Sequence, residues 1–386
     1  MGIKLTVICL DDDSFMLKAI TRVLRRLRPD WNLYFYDDPL TWYDLWKKEG
    51  IDEFDIFISD LIMPGKRGNI LLEEVKVLQP QAIRVLLTGD TNSDLPKIAH
   101  DYAHFVIPKP FVQESFEYLF LSAERLHKMP FTKECQRKLG CFTGLPVLPN
   151  CVTQLKEVLN TPDCDSQALA NVISHEPALA AKLLQIANSP FFGYRRSTDS
   201  LAEVVTRLGI TLIESVAISM LMYVSEDTVT KAQHQDIANL SLKSGSIARL
   251  LAKKMNRSVA EQDKVFIATL LTSVGALAIL SKGVKKEDIN EFLHFQDGHF
   301  DHLIVAAYIL ILWGYEIDLG EIILNQNCMI FDDHNDAYTL ASIVGLASRL
   351  AVCSSENDRD ELLSDLPDHI CFLVLDNQSV LLDFLE

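Results

Sequence analysis

Residues 54–68, FDIFISDLIMPGKRG, constrain the fold more than any other stretch of the chain. The apolar run that carries Asp55 to Ser59 is too short for a stable helix, so it predicts a strand buried on both faces, as in a parallel sheet. Asp60 then stands at the strand's carboxyl end, where open α/β sheets place their ligands. Pro64 and Gly68 turn the chain away and leave a short loop over the carboxylate.

The surrounding residues repeat this unit. Strands are expected at Leu5–Leu10, Leu33–Tyr36, Arg84–Thr88 and Phe105–Ile107. Helices are expected at Phe15–Leu27 with Ser14 as N-cap, Leu40–Lys48, Ile70–Leu78, Ser93–His100 and Val112–His127, the last with Phe116, Leu119 and Phe120 on one face. Five such units predict an α/β doubly wound, five-stranded parallel sheet. The strand ends then present Asp11 and Asp12, Asp60, Thr88 and Lys109. Three carboxylates without a basic neighbour repel one another, which points to a hard divalent cation among them, Mg²⁺ most naturally. The Thr88 hydroxyl and the Lys109 ammonium add a donor and a positive charge suited to a phosphate. Singly, an Asp or Thr at a strand end is an ordinary cap and Lys-Pro an ordinary turn; together, in this order, they form a pattern.

The chain has 386 residues, enough for two or three domains. Its net charge of -17 and pI near 5.0 argue against direct DNA binding. The start MGIKLTVICLDDD lacks the organisation of a signal peptide, so a cytoplasmic location is expected. The longest apolar run, Leu303 to Trp313, is too short to span a bilayer and reads as a buried helix. The eight cysteines include no CxxC pair and read as free thiols.

The acidic pair Asp11 and Asp12, Asp60 within SDLIMP, Gly68, Thr88 followed by Gly89, and Lys109-Pro110 closely resemble the receiver domain of two-component response regulators, a flavodoxin-like fold. The resemblance implies that Asp60 accepts a phosphoryl group from a phosphohistidine, with Mg²⁺ held by Asp11, Asp12, Asp60 and the backbone carbonyl of Ile62. Thr88 and Lys109 would sense the phosphoryl group. The family's switch aromatic falls at Val106 here, with Phe105 one residue earlier, so the identity of the reporting side chain stays open. Ile62 places an apolar side chain two residues after Asp60, which predicts slow self-dephosphorylation.

Beyond a connector at 128–144, in which Phe131 and Phe142 suggest packing, the pattern is helical, with a doubtful strand at Cys371–Leu375. LPVLP from Leu145, residues Ile173–Gly193, SLAEVVTRLG from Leu201 and DHLIVAAYILILWG from Asp301 resemble the HDOD domain, a relative of the HD phosphohydrolases. Leu179, Leu183 and Leu184 form a helical stripe that Pro177 starts and Asn188 to Pro190 ends. Against that family's metal-binding pattern, the ligand positions fall at Leu240, Thr272, Ser273 and Ser348, with a further histidine pair at Asn325 and Gln326; only His302 matches a family histidine. One imidazole does not make a metal site. HFQDGHFDH gathers His294, Asp297, His299, Asp301 and His302, and a helix would bring His294 and His302 to broadly one face; Gly298 interrupts the run and its polar residues also fit a solvated loop before a helix, so metal binding there is the lesser reading. The neighbouring Leu270, Leu271, Val274 and Leu277 read as core rather than a phosphate pocket.

The expected organisation is a receiver at 1–127, a linker at 128–144, an all-α HDOD domain at 145–353 and an acidic tail at 354–386 packed on it. The expected function is a phosphorylation-controlled response regulator that signals by protein interaction, with no catalysis and no cofactor in the HDOD domain. Its partners would be a sensor histidine kinase or phosphotransfer protein and an unidentified output protein, with a possible homodimer and neither DNA nor membrane bound. The alternatives are a metal-dependent phosphohydrolase or cyclic-dinucleotide phosphodiesterase, and a non-catalytic nucleotide receptor.

Overall fold

The structure is a computed structural model that describes residues 3–89, 102–141, 149–161, 164–189, 192, 194, 196–222, 229–295, 299–331, 336–353 and 355–377. The helix expected at Ser93–His100, residues 145–148 of LPVLP, Phe142, Asp297, Gly298 and the last residues, 378–386, lie outside that set. The chain divides into two compact units, Met1–Leu145 with Leu310–Ile317, and Pro146–Ile309 with Asp318–Glu386.

The first unit is built on strands β1 (Thr6–Leu10), β2 (Asn32–Tyr36), β3 (Ile56–Asp60), β4 (Ile83–Thr88) and β5 (Phe105–Pro108). They form one parallel sheet in the order β2-β1-β3-β4-β5. Every residue of β3 and β4 is buried, which is why their sequences run apolar without alternation. Helices α1 (Ser14–Leu27), α2 (Trp42–Lys48), α3 (Gly68–Leu78) and α4 (Gln113–Lys128) accompany the sheet. Ser14 is not the N-cap of α1. Asp13 is, because its carboxylate accepts from the amides of Phe15 and Met16, one residue earlier than expected. On α2, Trp42 and Trp46 sit in an aromatic cluster with Phe54 and Phe57. On α4, Phe116, Leu119 and Phe120 are fully buried, as their helical spacing predicts.

Part of the expected connector belongs to this unit's packing. Residues Lys133–Cys141 form α5, with Cys135 and Leu139 buried. The reason lies in Arg84 at the start of β4, a buried guanidinium that needs acceptors. It finds them in the carbonyls of Tyr102 and Gly140, at 3.1 and 3.0 Å. At the helix start, Lys133 pairs with Glu53 at 3.0 Å.

The second unit is helical throughout its described residues. Its elements are α6 (Asn150–Leu159), α7 (Ser166–Ser174), α8 (Pro177–Ala187), α9 (Leu201–Leu208), α10 (Ile210–Leu221), α11 (Lys231–Lys254), α12 (Val259–Leu280), α13 (Asp301–Leu312), α14 (Ile317–Asn325), α15 (Asp336–Val352), α16 (Glu356–Ser364) and α17 (Asp368–Asp376). Pro177 opens α8 and Asn188 caps it, as expected. The doubtful strand at Cys371–Leu375 is instead part of α17. Ile370 and Val374, four residues apart, are its buried positions, a helical period rather than an alternating one.

Two capping boxes start the central pair of helices, Thr230 with Gln233 on α11 and Ser258 with Glu261 on α12. Helix α12 is long and apolar enough to cross a membrane, yet 72% of its most apolar window is buried inside the protein. Leu270, Leu271, Val274 and Leu277 on it are fully buried, in keeping with a core role. A Cβ at Gly275 would lie 1.9 Å from the His302 carbonyl oxygen and 2.7 Å from the Ala306 nitrogen, so α12 and α13 touch backbone to backbone there. Gly275→Ala is expected to destabilise the second unit by about 2 kcal/mol, since the helices must separate to admit a methyl group. Chemical denaturation measures this; an unchanged midpoint contradicts the close approach.

Candidate functional site

The carboxyl edge of the sheet gathers the residues expected there. Backbone bonds continue past the strands and fix their positions: Asp11 N–H donates to the Tyr36 carbonyl at 3.3 Å, Leu61 N–H to Leu87 at 2.9 Å and Lys109 N–H to Thr88 at 2.7 Å. Asp11 and Asp60 are buried to 1% and 7% exposure, whereas Asp12 is exposed. Each of the three carboxylates offers an oxygen within 4.8 Å of the others. Among the described residues this is the one cluster of three or more groups suited to a metal ion. Three hard oxygen donors on an open edge fit Mg²⁺, which keeps waters for its remaining positions.

The expectation that these carboxylates have no basic neighbour is corrected by the position of Lys109. Its ammonium lies 2.8 Å from Asp11 Oδ2 and 2.6 Å from Asp60 Oδ1. Burial works against the ammonium's charge, but hydrogen bonds to Asp11 and Asp60 outweigh it and hold the lysine above its usual pKa. The other oxygen of Asp60, Oδ2, accepts from the Ile62 amide at 3.1 Å. Ile62 itself is 60% exposed beside the site. Thr88 is buried at the end of β4. Phe105 on β5 packs edge-on against Tyr118, with ring centroids 6.1 Å apart. Beneath the edge, burial and then the Asp11 charge push the Cys9 thiol far up, so it stays protonated.

Gly68 is more than a turn residue. A Cβ there would sit 2.0 Å from the Asp60 carbonyl oxygen, so only glycine lets the start of α3 close behind the carboxylate. Its amide donates to the Leu61 carbonyl at 3.0 Å, which fastens the loop Leu61–Arg67 at both ends.

In the second unit, Leu240, Thr272, Ser273, Ser348 and His302 line one cavity of about 890 Å³. The resemblance to the HD pattern thus points to positions that do converge, although the side chains there are not a metal-ligating set apart from His302. Asn325 and Gln326 are not among the cavity residues; Gln326 instead donates to Thr272 Oγ1 at 3.3 Å. Ser241, Ser244 and Thr269 also line the cavity and were not anticipated; their signal is a hydroxyl at helical spacing inside apolar runs.

The HFQDGHFDH run does not form the helical histidine pair. His294 has a positive φ of 50°, and the Asp301 carboxylate accepts from the amides of Leu293, His294 and Phe295, tying this loop to the start of α13. Burial raises the Asp301 carboxyl above its ordinary pKa although these bonds oppose it.

The parallel sheet with an acidic, lysine-bridged carboxyl edge defines a receiver fold, here followed by an α-helical unit. The model of the response regulator receiver domain matches residues 7–118, and that of the HDOD domain matches residues 145–314. The chain therefore carries a receiver domain and an HDOD domain, the pairing of a response regulator. A two-component response regulator of Oryza sativa subsp. indica is 28% identical over 159 residues, 39% of this chain and 22% of its own length. An uncharacterised protein of Treponema pallidum (strain Nichols) is 25% identical over 141 residues, 36% of this chain and 26% of its own. The chain thus spans about a quarter of the length of these curated relatives. A solved structure provisionally named a metal-dependent phosphohydrolase, from Shewanella amazonensis SB2B, is 19% identical and covers 65% of this chain and 96% of its own, with a TM-score of 0.48.

Burial lowers the His302 pKa from 6.5 to about 4, so its imidazole is neutral in the folded protein. A depressed histidine favours folding fully above its unfolded pKa, and that contribution is lost as pH falls through the folded value. Stability is therefore expected to fall between pH 6.5 and about 4 by roughly 3 kcal/mol more in the wild type than in His302→Gln. Asp301 is common to both proteins. Parallel slopes in urea titrations at several pH values contradict a neutral buried His302.

Proposed function

We propose that the chain is a phosphorylation-controlled response regulator, with Asp60 as phosphoacceptor and protein interaction through its HDOD domain as output. The observation that carries this reading is the Lys109 ammonium set between Asp11 and Asp60, at 2.8 and 2.6 Å, on the sheet's carboxyl edge. A carboxylate oxygen of Asp60 attacks the phosphorus of a phosphohistidine; the new O–P bond forms as the P–N bond breaks, and the imidazole leaves. The Ile62 amide holds the other Asp60 oxygen and so orients the attack. Lys109 balances charge that moves onto the phosphoryl oxygens, and the Thr88 hydroxyl is placed to donate to them. Mg²⁺, held by Asp11, Asp12, Asp60 and the Ile62 carbonyl, would supply charge neutralisation for that transfer.

Phosphorylation adds about -1.5 to -2 charges at neutral pH. Lys109 then exchanges its carboxylate partner for phosphoryl oxygens, and the ends of β4 and β5 rearrange with Thr88 and Phe105. We assign the donor as a sensor histidine kinase or phosphotransfer protein in the cytoplasm, and the output as a protein partner of the HDOD domain. Domain limits of 1–127, 145–353 and 354–386, with a linker between the first two, accompany this reading. A phosphohydrolase reading is less well supported, because Leu240, Thr272, Ser273 and Ser348 bring no carboxylate or imidazole to join His302 in the cavity.

With acetyl phosphate and Mg²⁺, the wild type is expected to gain one phosphoryl group by intact mass and Asp60→Asn none; labelling of the variant overturns the assignment. The aspartyl phosphate is expected to last minutes or longer, since Ile62 offers no polar atom to place an attacking water. Ile62→Asn should shorten that lifetime several-fold, and a wild-type lifetime of seconds contradicts the role given to Ile62.

A further inference from the structure

Two helix faces away from the phosphoryl site carry opposite charge, and both lie open to solvent. Helix α1 buries Leu17, Ile20 and Leu24, and its outer face presents Phe15, Lys18, Arg22 and Arg25 at helical spacing. None of the residues of α1 is acidic, although the chain bears a net charge of -17. Among the described residues, Lys18, Arg22 and Arg25 form no ion pair. The Lys18 ammonium lies 5.5 Å from the centre of the Phe15 ring, which is 80% exposed.

Helix α17 has the complementary surface. Ile370 and Val374 are its buried positions, while Asp368, Phe372, Leu375 and Asp376 share the exposed face at helical spacing. Phe372 is 68% and Leu375 44% exposed, so two apolar side chains stand open between two carboxylates. Exposed Glu361 and Asp365 continue the acidic surface before the helix, and no lysine or arginine occurs from Asp360 to Glu386. A charged face alone is an ordinary solvated surface. Here each face also holds an exposed aromatic ring, the kind of anchor that protein interfaces use, inside a rim of a single charge sign.

We infer that two copies of this chain associate, with α1 of one seated on α17 of the other. Phe15 meets Phe372 and Leu375, while Lys18, Arg22 and Arg25 face the carboxylates of Asp365, Asp368 and Asp376. A twofold axis makes the same contact twice, as in most closed homo-oligomers. The occupant of the basic face must be acidic and carry an apolar anchor, and the chain itself supplies both. Its net negative charge repels a second copy at long range, but that repulsion is screened beyond about 8 Å at physiological ionic strength, and partly buried pairs in contact are screened much less. The contact uses no residue of the phosphoryl site, so the inference holds whether or not Asp60 is the phosphoacceptor.

Sedimentation equilibrium of the full chain tests it. Wild type is expected to dimerise at about 100 μM, a weak association in keeping with an interface of short helices. Arg22→Glu/Arg25→Glu and Asp368→Lys/Asp376→Lys are each expected to weaken the dimer about tenfold, and the chain with all four substitutions to regain it. The first pair adds negative charge to the chain and the second removes it, so a general charge effect would move the two variants in opposite directions. Asp368 lies in the first turn of α17, where a cation opposes the helix dipole. If the melting temperature falls for that reason, Asp376→Lys and Arg22→Glu, singly and together, carry the same comparison. A wild type that stays monomeric, an α17 variant that associates as tightly as the wild type, or a combined variant that does not recover would overturn the inference. A monomer that binds vesicles of anionic phospholipid through Arg22 and Arg25 would overturn it too, because the basic face would then belong to a membrane surface.

Discussion

The arrangement at the sheet edge depends on one ammonium ion between two buried carboxylates. Asp11 and Asp60 are nearly removed from water, and two such anions side by side would repel strongly. Lys109 at 2.8 and 2.6 Å offsets that repulsion and in return has its own charge stabilised against burial. Asp60 is the last residue of β3, and Asp11 and Lys109 directly follow β1 and β5, where backbone bonds continue the ladder for one residue. Lys109 is thus tied both to the Asp60 carboxylate through its ammonium and to the end of β4 through its amide, which donates to the Thr88 carbonyl.

The cavity of the second unit is lined by hydroxyls whose protons are already bonded, one neutral imidazole and aliphatic wall, together with the exposed charged residues Asp236, Lys285, Lys286 and Glu287. The backbone contact at Gly275 sets α13, and with it His302, against α12, so the cavity is framed by elements that cannot easily move apart.

Much of this was legible in the sequence because the receiver site is local to strand ends. Apolar runs without alternation marked β3 and β4, and the residues expected to end them, Asp60 and Thr88, do lie at the strands' carboxyl ends. The positions Leu240, Thr272, Ser273 and Ser348 came from the resemblance to the HD pattern, and the structure brings them to one cavity. Less legible was whatever depends on a partner distant in sequence. The Lys109 bridge joins residues 98 positions apart, and the docking of α5 rests on the buried Arg84, 56 positions before Gly140. The direction of the cavity hydroxyls was also hidden, since composition does not tell whether a serine proton points to its own helix or away. At Cys371–Leu375 the short apolar run was ambiguous, and the buried pair Ile370 and Val374 resolves it as helix.

The central claim is that charge at Asp60 alters the HDOD unit. Hydrogen exchange read by mass spectrometry, on the full chain with Mg²⁺ and with or without beryllofluoride as a phosphoryl mimic, tests it most directly. The account predicts altered exchange at the ends of β4 and β5 and in helices of the HDOD unit, in the wild type and not in Asp60→Asn. Changes confined to residues of the receiver, with the HDOD helices untouched, would contradict it.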